Sequence, residues 1–149
     1  MRAIVQRVSR SKVTVSGEIV GEIGKGLLVL LGVTHEDDNK DADYLVNKIT
    51  GLRIFDDGEG KMNLALADID GEMLVVSQFT LYADTKRGRR PSFIDAAKGD
   101  DALRCYNYFV AKARETVTKV AQGAFGEMMG VELVNDGPVT IILDSKMTF

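Results

Sequence analysis

The residues best placed for chemistry in this 149-residue sequence follow a run of apolar side chains. The segment "EMLVVSQF" predicts a strand over Glu72–Phe79, in which the polar pair Ser77-Gln78 comes directly after four apolar residues. Functional side chains are often mounted where a rigid strand meets a loop. The same pattern is typical of a strand that ends by exposing polar side chains. From the residues alone, both interpretations of Ser77–Thr80 stay open.

A second candidate is "NDGPVT", residues 135–140, near the end of the chain. Asn135, Asp136 and Gly137 are typical turn residues, and Pro138 lacks the backbone N–H that a central strand needs. This proline, one of only two in the chain, stands at the start of the predicted strand "PVTIILD". The segment is therefore either a plain turn or a turn that presents its backbone to another group.

Triad and metal chemistry find little support in the sequence. His35 is the only histidine, so a Ser-His-Asp or Cys-His site would depend on it, yet it lies in an acidic loop where exposure is expected. Ser77 lacks the G-x-S-x-G pattern that exposes a nucleophilic serine. Zinc sites need several His or Cys ligands, whereas the chain has one of each, and Asp56-Asp57 has the character of a turn. We therefore expect neither a metal nor a cofactor.

Composition favours one domain over residues 1–149, with 45% hydrophobic and 28% charged residues. Without a membrane-spanning stretch or a signal-peptide core, the sequence predicts a cytoplasmic protein with no membrane partner. The single cysteine, Cys105, excludes an internal disulfide and is expected to be buried.

A local basic patch contrasts with the net charge of −3, which argues against general nucleic-acid coating. Its cations are Lys86, Arg87, Arg89 and Arg90. Such a run is either a phosphate-binding surface or a solvated loop.

The elements that must position these residues follow from hydrophobic periodicity. Branched residues predict strands over the first thirty-odd positions, and the unbroken apolar run Leu27–Leu31 predicts a central strand covered on both faces. A further short strand is expected at Arg53–Phe55. After "GAFGEMMG", the chain is expected to return to strand for "VELV" and "PVTIILD".

Helical spacing of apolar residues predicts two helices. The first contains Ala42–Leu52 and stops near Gly51, and the second is capped by Asp100 or Asp101 and has an apolar face extending to Val120. The order β-β-β-α-β-β-α-β-β predicts an α+β fold, with a mixed, antiparallel or barrel-like sheet backed by two helices.

Several segments read together resemble the D-aminoacyl-tRNA deacylases. The S-Q-F-T-L pattern of that family is matched by Ser77–Leu81, and its N-x-G-P-V-T pattern by Asn135–Thr140. The opening "MRAIVQRV" and the "RPSF" of Arg90–Phe93 fit the same family, so the resemblance covers almost the whole chain. It implies hydrolysis of the ester between a D-amino acid and tRNA, as chirality proofreading in translation.

The resemblance also implies a homodimer in which each subunit inserts a cis Gly137-Pro138 peptide into the active site of the other. Backbone carbonyls there would hold the α-amino group of the substrate, and an L side chain would clash with this wall. Because glycine has no side chain, glycyl-tRNA would be accepted as well.

Catalytic roles implied by the resemblance fall on Ser77, Gln78, Phe79 and Thr80. Backbone N–H groups near Phe79 and Thr80 would stabilise the developing oxyanion. Since no base adjoins Thr80 in sequence, we favour the 2′-hydroxyl of the RNA over Thr80 for activating water.

Supporting roles are implied for three further residues and for the basic patch. Phe125 and Met129 would line the adenosine or aminoacyl pocket, although their glycine-rich surroundings also fit a plain bulged strand. Arg7 would brace the carbonyls of Gly137 and Pro138, because an arginine in an apolar strand needs a partner. The basic patch would contact acceptor-stem phosphates of tRNA.

Two departures from the family pattern concern details of the pocket. Ser11 stands where a small apolar residue is expected, and Glu127-Met128 interrupts a small-residue pattern. Two other functions stay open: a non-catalytic RNA-binding module that uses residues 86–90, and a serine or threonine esterase that depends on His35.

Overall fold

The sheet contains two long strands, one near each end of the chain, which pair with each other. The computed structural model describes all residues, 1–149. Its strands are β1 (Arg2–Val15), β2 (Glu18–Ile23), β3 (Gly26–Gly32), β4 (Phe55–Asp56), β5 (Met62–Leu64), β6 (Glu72–Ser77), β7 (Val120–Gln122) and β8 (Gly130–Asp144). Its helices are α1 (Asn39–Gly51) and α2 (Gly99–Ala113), and two 3₁₀ turns span Leu66–Ile69 and Phe79–Tyr82.

β1 lies at the centre of a mixed sheet. Along one edge it pairs antiparallel with β3 through Arg2–Val8 and with β2 through Ser11–Val15, and along the other edge it pairs antiparallel with β8. Strands β3, β6 and β7 are parallel neighbours. Because β2 also contacts β6 and β7, the sheet is nearly closed. This single α+β domain, with a barrel-like sheet and two helices, confirms the predicted fold class.

Two glycines allow the sheet to close. A Cβ on Gly26 would lie 1.8 Å from the carbonyl oxygen of Glu72, and a Cβ on Gly21 would lie 2.4 Å from that of Gln122. Because these neighbours are backbone atoms, they cannot swing aside as a side chain could. Only glycine therefore allows β2 and β3 to approach β6 and β7 this closely.

The sheet separates two apolar clusters. The larger lies between the sheet and the helices and includes Tyr106 and Phe109 of α2. The smaller lies on the opposite face of the sheet. β3 contributes Leu27 and Val29 to the first and Leu28 to the second, which confirms the prediction of a strand covered on both faces.

α1 begins with a capped first turn and ends where the sequence predicts. The Asp38 side chain accepts the Lys40 N–H at 2.9 Å, and Asp41 accepts the Asp38 N–H at 3.0 Å, so the first turn has a reciprocal cap. The helix ends at Gly51, and Cys105 on α2 is buried, both as predicted. Neither α1 nor α2 is long and apolar enough to span a membrane.

The predicted bounds of the second helix were wrong at both ends. Lys98 precedes the first residue of α2, so Asp100 and Asp101 lie inside the first turn. Their negative charges interact favourably with the helix dipole there, but they do not cap the helix. The helix ends at Ala113, and Val117 and Val120 lie beyond it. Both valines are buried in the larger cluster. Because they follow the helix at helical spacing, the apolar pattern of the sequence continues beyond the last residue of α2.

Three strand predictions also need correction. β6 ends at Ser77 rather than Phe79, because Phe79 begins a 3₁₀ turn. The strand expected at Arg53–Phe55 is β4, Phe55–Asp56, and it pairs with an additional short strand, β5. The two strands expected after Gly130 are one continuous strand, β8.

Candidate active site

The 3₁₀ turn Phe79–Tyr82, here called the site turn, begins directly after β6. The Gln78 N–H donates to the carbonyl oxygen of Leu31 at 2.7 Å, which ties the start of the turn to β3. A Cβ on Gly32 would lie 3.0 Å from the Leu81 Cβ. The last residue of β3 must therefore be small, because the site turn lies against its backbone.

The site turn leaves backbone donors free at its start. Gln78 precedes the turn without capping it, so the first N–H groups, those of Phe79 and Thr80, have no side-chain acceptor. Gln78 instead donates its Nε2 to the hydroxyl of Thr80 at 2.5 Å. Phe79 and Thr80 are both exposed. These N–H groups can therefore donate to an oxyanion of a bound ligand.

An apolar cavity of about 370 Å³ opens beside the site turn. Its lining residues are Leu31, Val33, Ser77, Gln78, Phe79, Phe93, Ala97, Lys98, Gly99, Ala102, Tyr106, Phe125 and Gly126. Phe79 and Phe93 meet edge to face, with ring centroids 5.2 Å apart, and Phe125 lies 5.6 Å from Tyr106. Aromatic walls with few polar groups suit a flat ring system.

No side chain that could act as a general base reaches the hydroxyls of this site. The hydroxyl of Thr80 has the Gln78 amide as its partner, and an amide N–H cannot accept a proton. His35 is exposed, as predicted, and its Nε2 contacts the carbonyl oxygen of Ile94 at 2.8 Å. The structure also contains no group of three or more His, Cys, Asp or Glu residues placed to hold a metal.

The segment Asp136–Val139 forms a wide bulge in β8, here called the edge bulge. Gln6 pairs with Thr140 and Val8 pairs with Asn135, so four residues of β8 lie opposite one residue of β1. The Asn135 side chain closes the bulge, since its Nδ2 donates to the carbonyl oxygens of Arg7 at 2.9 Å and Val139 at 3.0 Å.

Gly137 and Pro138 are exposed at the top of the edge bulge, and the peptide bond between them is cis, as the resemblance implied. Gly137 has a φ of +125°, which L side chains rarely adopt. A Cβ there would lie 2.9 Å from Cγ2 of Val139 and 3.0 Å from Nη2 of Arg7. The position therefore requires glycine.

Arg7 binds the edge bulge at Asp136, one residue before the predicted Gly137-Pro138 pair. Its Nε donates to the carbonyl oxygen of Asp136 at 3.1 Å, and its Nη1 donates to that of Ile54 at 2.8 Å. The carboxylates of Asp136 and Asp56 lie 3.5 and 3.6 Å from the guanidinium. Its hydrogen bonds thus go to the carbonyl that precedes Gly137, and not to the carbonyls of Gly137 and Pro138.

The structure brings together some of the predicted site residues and separates others. Ser77, Gln78, Phe79 and Phe125 line one cavity, and Thr80 adjoins it through Gln78. Met129 does not line the cavity and packs against the smaller apolar cluster, with its Sδ close to Gly123, the residue after β7.

Gly137 and Pro138 do not line this cavity. Sequence reasoning missed the cavity walls Phe93 and Tyr106. An aromatic residue three positions after the basic patch is the signal that could have identified Phe93.

The departures from the family pattern lie outside the cavity. Ser11 is buried, and its hydroxyl donates to the carbonyl oxygen of Glu132 at 2.8 Å, so its polar atom has a partner between β1 and β8. Glu127 and Met128 are exposed, and Met128 is 90% accessible. Neither departure changes a wall of the cavity.

The basic patch is an exposed loop whose ends are joined. Asp84 and Ser92 exchange two backbone hydrogen bonds of 2.8 and 2.9 Å at its base. None of its cations has an ion-pair partner within the chain. They are Lys86, Arg87, Arg89 and Arg90. An unpaired basic loop of this kind can bind phosphate groups.

Free backbone donors beside an aromatic cavity, on a nearly closed sheet, form a site that could bind an oxyanion without a side-chain acid or base. The model of a family described as D-Tyr-tRNA(Tyr) deacylase matches residues 4–144. The chain belongs to this family. The predicted enzyme class, a hydrolase that acts on carboxylic esters, is thereby confirmed.

Individual relatives agree with the family assignment. A protein of Dehalococcoides mccartyi named D-aminoacyl-tRNA deacylase is 63% identical over 146 residues, covering 98% of this chain and 95% of its own. One of the same name from Thermosipho melanesiensis is 59% identical and covers both chains fully.

Two solved structures share the fold. One, named c-Myc DNA Unwinding Element Binding Protein, has a TM-score of 0.91 at 43% identity, covering 97% of this chain and 98% of that one. The other, described as a probable eukaryotic D-amino acid tRNA deacylase, has a TM-score of 0.82 and covers 96% and 98% of the two chains. Its identity of 18% supports the fold alone.

Proposed function

We propose that this protein hydrolyses the ester bond of D-aminoacyl-tRNA and releases the free D-amino acid and tRNA. The observation that carries the proposal is the pair of uncapped N–H groups, on Phe79 and Thr80, beside the aromatic cavity. Such donors stabilise the tetrahedral intermediate of acyl transfer. Family membership supplies the substrate class. The enzyme would meet aminoacyl-tRNA in the cytoplasm as part of translation quality control.

The aromatic cavity would receive the terminal adenosine of the tRNA. Phe79, Phe93 and Phe125 offer ring faces and edges to the base, and base–aromatic stacking contributes about 1–3 kcal/mol. The ester carbonyl would then lie at the entrance, next to the site turn. Ser77 and Gln78 lie at the same end of β6 and would shape the polar side of the pocket.

Water would be activated by the substrate itself. The water oxygen attacks the ester carbonyl carbon as one water proton passes to the RNA's 2′-hydroxyl, and the 2′-hydroxyl passes its own proton to the 3′-oxygen as the C–O bond breaks. Thr80 would not be the nucleophile, since its partner Gln78 cannot remove its proton. A tRNA that ends in 2′-deoxyadenosine should therefore be hydrolysed far more slowly, whereas Thr80→Val and His35→Ala should retain most activity.

A second copy of the chain would complete the site. Gly137 and Pro138 are exposed and lie outside their own subunit's cavity. The outer edge of β8 pairs with no strand, and Val134 and Ile142 on it are exposed. An unpaired edge strand with apolar side chains favours association with another chain. In the proposed homodimer, each edge bulge enters the partner's active site.

Chirality would be selected by exclusion. Carbonyl oxygens of the edge bulge would accept hydrogen bonds from the substrate's α-amino group and leave a D side chain pointing to solvent. An L side chain would collide with Gly137-Pro138, and a clash discriminates more strongly than one additional contact. Many D-amino acids, and glycine from mischarged glycyl-tRNA, would be accepted because no side chain is bound.

The basic patch would hold the acceptor stem. Phosphate contacts carry no sequence information, so they suit an enzyme that accepts many tRNAs. Replacing Arg89 and Arg90 with serine should weaken tRNA binding and flatten its dependence on salt. If hydrolysis were absent while tRNA still bound, the protein would be the non-catalytic RNA-binding module considered above.

The test compares D-tyrosyl-tRNA with L-tyrosyl-tRNA in the presence of EDTA. Rapid hydrolysis of the D ester alone would support the proposal and exclude an essential exchangeable metal. Hydrolysis of both esters would contradict the exclusion wall at Gly137-Pro138. Hydrolysis of neither would contradict the proposed function.

A further inference from the structure

Arg2 is the first residue of β1, and its side chain reaches the site turn. In the sheet it is the middle residue of a row, paired with Gly32 on β3 and with Asp144 on β8. A Cβ on Gly32 would lie 3.0 Å from the Leu81 Cβ and 3.1 Å from the carbonyl oxygen of Gln78. The site turn therefore occupies the space above Gly32, next to the Arg2 side chain.

The Arg2 guanidinium contacts the site turn twice. Its Nη1 donates to the carbonyl oxygen of Leu81 at 3.0 Å, and its Cζ lies 4.6 Å from the centre of the Tyr82 ring. Carbonyls at the C-terminal end of a short helix lack partners within it, and a cation there is favourable. Since Tyr82 is buried, these two contacts join the turn to the core of the sheet.

Asp144 orients the guanidinium from the opposite side. Its Oδ2 accepts from Arg2 Nε at 3.2 Å, and only 2% of its side chain is accessible. Burial alone would raise the pKa of Asp144, but hydrogen bonds from Thr148, the Lys146 N–H and Arg2 lower it below its ordinary value. Asp144 is therefore a carboxylate near neutral pH and keeps Arg2 directed at the turn.

We propose that Arg2 is a positioning residue for the deacylase reaction, acting through the Leu81 carbonyl and the Tyr82 ring on the N–H groups of Phe79 and Thr80. The proposal rests on the proposed function, because those N–H groups are its oxyanion donors. A displacement of about 1 Å in catalytic groups can cost about 10²-fold in rate. Arg2 does not line the cavity, so its replacement should lower kcat and leave the KM for substrate nearly unchanged.

Arg2→Lys tests this role with little change in charge. A lysine can pair with Asp144, but it lacks the planar fork that also reaches Leu81 and covers the Tyr82 ring. We expect kcat on D-tyrosyl-tRNA to fall about ten-fold, with KM within about two-fold. The matched control is Arg10→Lys, on the same strand, where the exposed arginine pairs with Glu132 at 3.1 Å.

Hydrogen exchange supplies a readout that is independent of activity. The Leu81 and Ala83 N–H groups bond to the carbonyls of Gln78 and Thr80 within the turn, and they should exchange faster in Arg2→Lys than in Arg10→Lys. Asp144→Asn should have the same effect in weaker form, because it leaves Arg2 less firmly oriented. Thermal unfolding would show that the compared variants are folded.

Equal kcat in the two arginine variants, or a lower kcat without faster exchange in the site turn, would overturn the proposal. A purely structural role for Arg2 would appear as a lower Tm with unchanged kcat, and would overturn it too. If the wild-type protein hydrolysed no D-aminoacyl-tRNA, the proposed function would fail. Exchange in the site turn would then decide alone whether Arg2 holds it.

Discussion

The site turn Phe79–Tyr82 is tied to the core of the sheet by backbone contacts and by the Arg2 side chain, whereas the edge bulge Asp136–Val139 is held by side chains on an exposed strand. The turn starts where the Gln78 N–H donates to the Leu31 carbonyl. None of the four residues of the bulge pairs with β1 in the sheet register, and the bulge is held by the side chains of Asn135 and Arg7.

The difference predicts how each region responds to mutation. A turn bonded to a buried strand cannot move without disturbing the core, so changes there should affect stability and function together. A bulge closed by a few side chains can change shape while the sheet remains intact. We therefore expect changes in the edge bulge to reduce function more than stability.

Gly137→Ala should give the largest effect. The alanine Cβ would lie 2.9 Å from Val139 Cγ2 and 3.0 Å from Arg7 Nη2, at a φ of +125°. The edge bulge must then shift, and a shift of about 1 Å in a substrate-positioning group can cost about 10²-fold in kcat/KM on D-tyrosyl-tRNA. Unfolding free energy should fall by only about 1–3 kcal/mol.

The matched control is Gly17→Ala, in the turn between β1 and β2. Gly17 also has a positive φ, +82°, but a Cβ there meets nothing within 4 Å. This variant should lose similar stability and keep its activity. Equal activity in the two alanine variants would show that the edge bulge takes no part in the reaction.

Asn135→Asp should have the next largest effect. The replacement puts a carboxylate oxygen where Nδ2 now donates to the carbonyls of Arg7 and Val139, at 2.9 and 3.0 Å. Two hydrogen bonds become two repulsive contacts, which costs about 2–4 kcal/mol locally. Activity should fall about ten-fold or more, and hydrogen exchange around the edge bulge should accelerate.

Asn107→Asp, an equivalent change at an exposed position of α2, serves as its control. It should leave both activity and exchange unchanged. If Asn135→Asp behaved in the same way, side-chain closure of the edge bulge would be disproved.

The sequence located the polar residues before the site turn, although it predicted strand as far as Phe79, and it indicated the shape of the edge bulge less well. The polar pair Ser77-Gln78 was recognisable because it follows a fully apolar run, which is a local signal. The shape of the bulge depends on the register between β1 and β8, strands from opposite ends of the chain, and no local pattern reports that register. Phe93 and Tyr106 were missed as cavity walls because an aromatic residue fits a core position equally well.

A third region, the end of β8, is held by charge. Asp41 on α1 accepts from the Ser145 hydroxyl at 2.7 Å and lies 2.9 Å from the Lys146 ammonium. Burial alone would raise the pKa of Asp41, but hydrogen bonds from the Asp38 N–H, Ser145 and Lys146 lower it well below the ordinary range. A lowered pKa stabilises the folded state above about pH 4, and this contribution is lost as the pH falls further.

Asp41→Asn should therefore lower the unfolding free energy at pH 7 by about 1–2 kcal/mol and flatten its decline below about pH 4. Urea unfolding across this pH range measures both effects. Asp101→Asn, at an exposed carboxylate with a 3.8 Å contact to Arg104, should change neither. Parallel pH curves for wild type and Asp41→Asn would contradict the assignment.

The smallest effect is expected at the Tyr82 hydroxyl, in the last residue of the site turn. The Tyr82 hydroxyl is buried without a hydrogen-bond partner, whereas the Tyr106 hydroxyl donates to the Val75 carbonyl at 2.8 Å. Tyr82→Phe should leave the unfolding free energy unchanged or raise it by up to about 1 kcal/mol, because it removes an unpaired polar group. Tyr106→Phe, the matched change, should lower it by about 1 kcal/mol. A loss in Tyr82→Phe as large as that in Tyr106→Phe would mean that a buried water satisfies the Tyr82 hydroxyl, and that this hydroxyl helps Arg2 to hold the site turn.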